Sequence, residues 1–126
     1  MNKSHKLSKE KRLSIEQYLS SKHLRVAPDG SPTAPIDRSL SQLNLEREIF
    51  VRIDLITMAP LILKSSELIL TLPSKTAQRM ANNYGFIIAD LPIELEKRKT
   101  KLIWHNELSS HPSFDWIKKQ IKVDLC

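Results

Sequence analysis

The stretch SSELILTLPSKTAQRMANNYG, Ser65 to Gly85, decides the fold class. Leu68, Ile69, Leu70 and Leu72 form a short apolar block interrupted only by Thr71. That length suits a strand buried on both faces better than a helix. Pro73 has no amide proton to give a ladder and ends the strand. Ser74 offers a hydroxyl to an orphan amide and is placed to cap a helix. Ala77, Met80, Ala81 and Tyr84 then fall at i, i+3, i+4 and i+7, one helical stripe. Gly85 suits the left-handed conformation that closes a helix. Together these residues predict a strand-turn-helix unit of an α/β protein, and they carry no chemistry by themselves.

Working outward, the same logic organises the rest of the chain. Residues 1–13 are polar and basic and read as a loose N-terminal segment. Ser14 with Gln17 forms a capping box that opens a short helix to about Ser21. Leu24 to Ala27 reads as a strand, and Pro28-Asp29-Gly30-Ser31-Pro32 is turn chemistry. Ile36, Leu40 and Leu43 give a helical stripe, and Ile49 to Ile53 a β-branched and aromatic strand. Ile56 to Lys64 reads as a helix with Pro60 near its first turn. Phe86 to Ala89 and Thr100 to Trp104 read as strands, with Glu94 to Lys99 a charged turn or edge between them. Pro112 opens a last helix with Phe114, Ile117 and Ile121 on one face. Strands alternating with helices predict an α/β fold with a mostly parallel sheet flanked by helices.

Composition narrows the function classes. The chain has 126 residues, enough for one domain, and is 40% hydrophobic, enough for a core. No apolar run approaches the roughly 18 residues of a membrane span, so no membrane partner is expected. The basic N-terminus MNKSHKLSKEKR lacks the apolar core of a secretory signal. The single Cys126 makes no internal disulfide; a cytoplasmic protein is the plain reading. The net charge of +6 is concentrated at one end, with +5 in residues 1–25 and +1 in the remainder. This predicts a solvated basic end rather than a nucleic-acid stripe. Two glycines, Gly30 and Gly85, rule out a glycine-rich phosphate loop. His5, His23, His105 and His111 lack metal-ligand spacing, and no strand-turn nucleophile motif is present. Enzyme chemistry, a cofactor and a metal are therefore not expected.

Two places invite a ligand. Ser31 and Thr33 precede the helix that carries Ile36, where free amides and hydroxyls suit a carboxylate or phosphate, although ordinary capping uses the same residues. His23 stands just before a strand that leads into that turn. Both lie near strand ends, where open α/β sheets bind small molecules.

The run from His5 to Ile121 resembles the C-terminal part of LysR-type transcriptional regulators, in the branch of the nodulation regulators and the regulators sensing salicylate and nitroaromatic compounds. The resemblance is carried by His5-Lys6-Leu7-Ser8, where that family usually has His-Pro-Leu-Ala. It continues through His23-Leu24-Arg25-Val26, Pro35-Ile36-Asp37-Arg38-Ser39-Leu40 and the run from Ala59 to Pro73. It ends with Leu102-Ile103-Trp104-His105 and the helix opened by His111-Pro112. The order and spacing of these pieces, more than any one of them, make the likeness specific. Lys6 in place of Pro, and Ile53-Asp54 where Val-Pro often occurs, depart from the pattern.

The resemblance implies a periplasmic-binding-protein-like effector domain of two α/β lobes with a small molecule between them. Residues 14–90 would form the second lobe. Residues 91–126 would supply a crossover, a closing strand and a C-terminal helix of a first lobe that is otherwise missing, as is the helix-turn-helix. The chain is then expected to be a fragment without the DNA-binding part, in an intact protein that is a dimer or tetramer. The effector would be a small molecule, by analogy with the branch an aromatic acid. His23 lies where relatives place an effector-contacting histidine, Ser31 and Thr33 face the same region, and Asp90, Leu91 and Ile93 would line the cleft floor. Asp90 disfavours a carboxylate beside it. The rival readings are a stand-alone dimerisation module derived from such a regulator and an unrelated small α/β enzyme.

Overall fold

The computed structural model describes residues 1–95 and 101–125, with side chains through residue 121. It divides into two compact units, Met1–Leu95 and Glu96–Cys126.

In the first unit, α1 (Ile15–Leu19) is opened by the expected capping box: Ser14 Oγ accepts from the Gln17 amide at 3.1 Å, and Gln17 Oε1 accepts from the Ser14 amide at 2.8 Å. Strand β1 (Lys22–Val26), helix α2 (Pro35–Gln42) and strand β2 (Glu48–Ile53) follow. A 3-10 turn at Ile56–Met58 leads into α3 (Ala59–Lys64), with Pro60 in its first turn, where no amide proton is missed. Strand β3 is only Ile69–Leu70, and α4 (Ser74–Tyr84) ends on Gly85 at φ +71°. The sheet order is β2-β1-β3, and both pairings are parallel.

The central strand β1 sorts the core. His23 pairs with Ile69 and Leu24 with Leu70, so successive pairs point to opposite faces of the sheet. On one face Ile69 joins Tyr18 of α1, Ile36 and Leu40 of α2, Leu13 and Met1. On the other, Leu24 and Ile53 meet Ala59 and Leu63 of α3 and Leu68. Leu43, expected on the α2 stripe, lies past the helix end and is exposed; Asn44 at φ +56° turns the chain away there.

Three expectations fail for one reason, which is where the backbone finds partners. The N-terminal residues are not loose. Met1 and Leu13 are core residues, and His5 is buried. The segment Phe86–Ala89 forms no strand. It and the following Asp90 run beside the N-terminal residues through isolated bonds: the Ile87 amide to the Met1 carbonyl at 3.0 Å, the Asp90 amide to the Lys11 carbonyl at 2.8 Å, and the Leu13 amide to the Asp90 carbonyl at 3.1 Å. Ser74 is the first helical residue rather than the cap, which is Pro73, and makes no side-chain cap bond.

The second unit contains a 3-10 turn, Asn106–Ser110, and α5, Pro112–Leu125, which starts at the expected proline. Residues 101–104 form no strand; Thr100 and most of the expected turn at Glu94–Lys99 lie outside the described residues. Trp104 packs against Phe114 at 5.6 Å between ring centroids, and its indole N–H donates to Ser109 Oγ at 3.0 Å.

Candidate functional site

Among the described residues of the first unit, a larger and a smaller cleft stand out, with no lining residue in common. The larger, about 470 Å³, lies at the C-terminal end of β3. Thr71, Leu72 and Ser74 form its strand-end wall, Gln78 and Met80 of α4 line one side, and the stretch from Phe86 to Asp90 with Leu91 and Ile93 lines another. Arg12 and Tyr18 also reach it. The volume is within the range of small-molecule pockets, and a strand end is where α/β sheets place them.

A polar network backs this cleft. Tyr18 OH and Thr71 Oγ1 are 2.7 Å apart, and Arg47 Nη1 donates to Tyr18 OH at 3.2 Å and to Thr71 Oγ1 at 3.5 Å. Arg47, 6% exposed, is held in turn by Asp37: Nε donates to Oδ1 at 2.6 Å and Nη2 to Oδ2 at 3.3 Å. Asp37 Oδ2 also accepts from the Ala34 amide at 2.9 Å, so the same carboxylate caps α2. Burial pushes the Asp37 carboxyl up, but the bonds from Arg47 and Ala34 outweigh it and leave it below the usual carboxylate range. Burial raises the Tyr18 phenol, with the Arg47 charge and the Thr71 and Arg47 bonds only partly opposing it, so Tyr18 is a neutral hydroxyl at pH 7.

The smaller cleft, about 460 Å³, lies between α2 and the start of β2. Arg25, Thr33, Asp37, Ser41, Asn44 and Arg47 supply its polar lining, with Leu40 and Ile49 among the apolar residues.

The six residues singled out from sequence are not brought together. Asp90, Leu91 and Ile93 line the larger cleft, Thr33 lines the smaller one, and Ser31 and His23 line neither. Neither Ser31 nor Thr33 caps α2; Ser31 Oγ donates to the Thr33 carbonyl at 3.0 Å. His23 is fully buried as a core side chain, its Nε2 bonded to the Tyr18 carbonyl at 2.7 Å and its ring 4.5 Å from the Tyr18 ring. Thr71, Tyr18 and Arg47 escaped the sequence reading. Thr71 had a signal, being the one polar residue inside the apolar run Leu68 to Leu72, whereas nothing local marks Arg47 as buried. Among the described residues no group of three or more His, Cys, Asp or Glu side chains could hold a metal ion, and no helix is long and apolar enough to cross a membrane.

A parallel sheet with flanking helices and a strand-end cleft defines an α/β lobe of the periplasmic-binding-protein-like type. No family model matches the chain. It aligns over 108 residues with the HTH-type transcriptional regulator SyrM 1 of Sinorhizobium fredii, at 27% identity, covering 85% of this chain and 32% of that protein. With the HTH-type transcriptional activator NahR of Pseudomonas putida it is 23% identical over 123 residues, 98% of this chain and 40% of the other. The regulatory domain of MexT, a transcriptional activator in Pseudomonas aeruginosa, superposes with a TM-score of 0.72 at 19% identity, over 89% of this chain and 56% of that one. The chain's homologues are LysR-type transcription regulators, and its fold is that of their regulatory domain. It spans 32% and 40% of the length of these two curated relatives.

Proposed function

We propose that this chain is the effector-sensing part of a DNA-binding transcription regulator and that a small molecule binds in the larger cleft. The intact protein would be a cytoplasmic dimer or tetramer that meets DNA through a helix-turn-helix outside this sequence. Effector binding would bias one arrangement of the regulator over another, a population shift.

The observation that carries the reading is the hydroxyl pair at the strand end. Arg47 has only donors, and it points them at both oxygens. Tyr18 and Thr71 share one hydroxyl proton at 2.7 Å, so one of their two protons is left over. Tyr18 is fully buried, which makes the free proton that of half-buried Thr71, on the cleft wall. The cleft therefore offers a donor at β3 beside the apolar side chains Leu91 and Ile93. An aromatic acid fits that pairing, with its carboxylate at Thr71 and away from Asp90.

Thermal unfolding with a panel of aromatic carboxylic acids, and benzyl alcohol as the uncharged control, tests this. A ligand that binds only the folded state must raise the midpoint. We expect a rise with at least one acid that Thr71→Val reduces, since the variant keeps the shape and removes the donor. No rise with any acid, or a rise that Thr71→Val leaves intact, would refute the assignment.

A further inference from the structure

We infer that the smaller cleft, between α2 and the start of β2, is a second ligand site that takes a small oxyanion, the carboxylate or phosphate group of a metabolite. This cleft is separate from the larger one: the two have no lining residue in common, although Arg47 in the wall of this one donates to Tyr18 and Thr71 of the other.

Two buried guanidinium groups stand in its wall, and only one is in direct contact with a carboxylate. Arg47 is paired with Asp37 at 2.6 Å. Arg25, 7% exposed on the central strand, has no carboxylate within 4.0 Å among the described residues. Its Nη1 and Nη2 donate to the carbonyl oxygens of Pro32 and Ser31, each at 2.5 Å, and its Nε is buried without a partner. Neutral carbonyls satisfy donors but carry no charge, and Asp37, which feels Arg25 at longer range, is already paired with Arg47, so one carboxylate faces two buried cations and the excess positive charge is expensive. An oxyanion supplies both the missing charge and an acceptor for Nε–H. Guanidinium groups bind carboxylate and phosphate oxygens in this way, with charge-assisted bonds stronger than neutral ones.

The rest of the lining suits a small ligand. Thr33, Ser41 and Asn44 are exposed and offer neutral donors for further oxygens. Leu40 and Ile49 give an apolar surface for a short carbon body. Glu46 is also on the lining but exposed, where water and salt screen it. Its charge disfavours a polyanion and leaves room for a single oxyanion.

The test reads Arg25 directly in the intact chain. The Arg25 Nε–H resonance is identified by its loss from the proton–nitrogen spectrum of Arg25→Lys. Wild-type protein is then titrated with inorganic phosphate and, separately, with acetate, each against sodium chloride at equal ionic strength. The expected result is a saturable shift of the Arg25 Nε–H signal with phosphate or acetate and none with chloride. The anion that binds more tightly identifies the group as phosphate or carboxylate. Thr33→Ala should weaken the binding about tenfold, the loss of one good hydrogen bond. An Arg25 signal that moves with neither anion beyond the chloride control would overturn the proposal and leave Arg25 as a tether for the Ser31–Pro32 loop.

Discussion

His23 shows how far a single side chain can be read from its environment. A carbonyl oxygen only accepts, so the bond to Tyr18 puts the proton on Nε2 and leaves Nδ1 as an unprotonated, buried and unpartnered nitrogen. Adding a proton there would place a charge in the core. Burial therefore lowers the pKa from the ordinary 6.5 to about 4, the Tyr18 carbonyl opposing and the Arg47 charge assisting. The unfolded chain binds a proton between those values and the folded chain does not, so this stability is complete above pH 6.5 and is lost as pH falls toward 4. The loss should be about 3 kcal/mol. His5, also lowered by burial with Glu67 opposing, adds to the same direction. Urea unfolding at pH 4.5 and pH 7 should show the difference. His23→Phe should reduce it, leaving the share that belongs to His5; an unchanged pH dependence would mean that His23 protonates without strain. The resemblance to effector-contacting histidines placed this residue at the ligand. Its full burial was not legible, because a lone histidine before a strand looks the same in sequence on either side of a sheet.

The elements divide by whether their cause is local. The Ser14–Gln17 box, the Gly85 stop and the Pro112 start are set by residues within a turn of one another, and each lies where the sequence predicts it. Gly85→Ala tests the first kind. At φ +71° an L-residue is strained, while a Cβ there would meet only the Lys3 side chain at 3.5 Å, an ordinary contact. The cost, about 1 kcal/mol, should come from the backbone alone and should appear as a lower denaturant midpoint at unchanged slope. The second kind is non-local. Phe86–Ala89 has the composition of a strand, yet its Ile87 amide meets the Met1 carbonyl instead of the sheet, and no periodicity could name a partner more than 80 positions away. The larger cleft was legible to the same degree. Asp90, Leu91 and Ile93 were named, while Tyr18 and Arg47 reach their places only through tertiary contacts. Strand β2 adds a further non-local feature: a register shift against β1 leaves Phe50 without a partner between Ile49 and Val51. A bulge of this kind, with exposed Glu48 and Arg52 on either side, is a device that discourages edge-to-edge pairing.

At the scale of the whole molecule, the two units differ in what they can bury. The first unit closes two apolar clusters on the faces of its sheet. The second, Glu96–Cys126, is too short to build a core of its own. Among its described residues, several large apolar side chains remain exposed: Ile103 is 85% exposed and Trp116 64%, with Leu102, Trp104, Leu108 and Ile117 also exposed. Lys118 lies over the Trp104 and Phe114 rings, at 5.1 and 5.2 Å, and shields only part of this surface. Exposed apolar residues in such number favour association; the first unit also exposes Phe50, Leu55 and Leu61, and we expect contact between chains to run through the aromatic and apolar side chains of the second unit, which variants at Ile103 and Trp116 test. Light scattering at about 10 and about 100 μM should show a mass above 14.5 kDa that rises with concentration, as mass action requires. Ile103→Lys combined with Trp116→Lys should bring it back to the monomer. Both side chains are exposed, so the change should leave the stability of the chain within about 0.5 kcal/mol. A wild-type chain that stays monomeric at both concentrations would show that the exposed side chains do not drive association. A double variant that still associates would move the interface to the first unit, where the edge of β2 would be the next place to mutate.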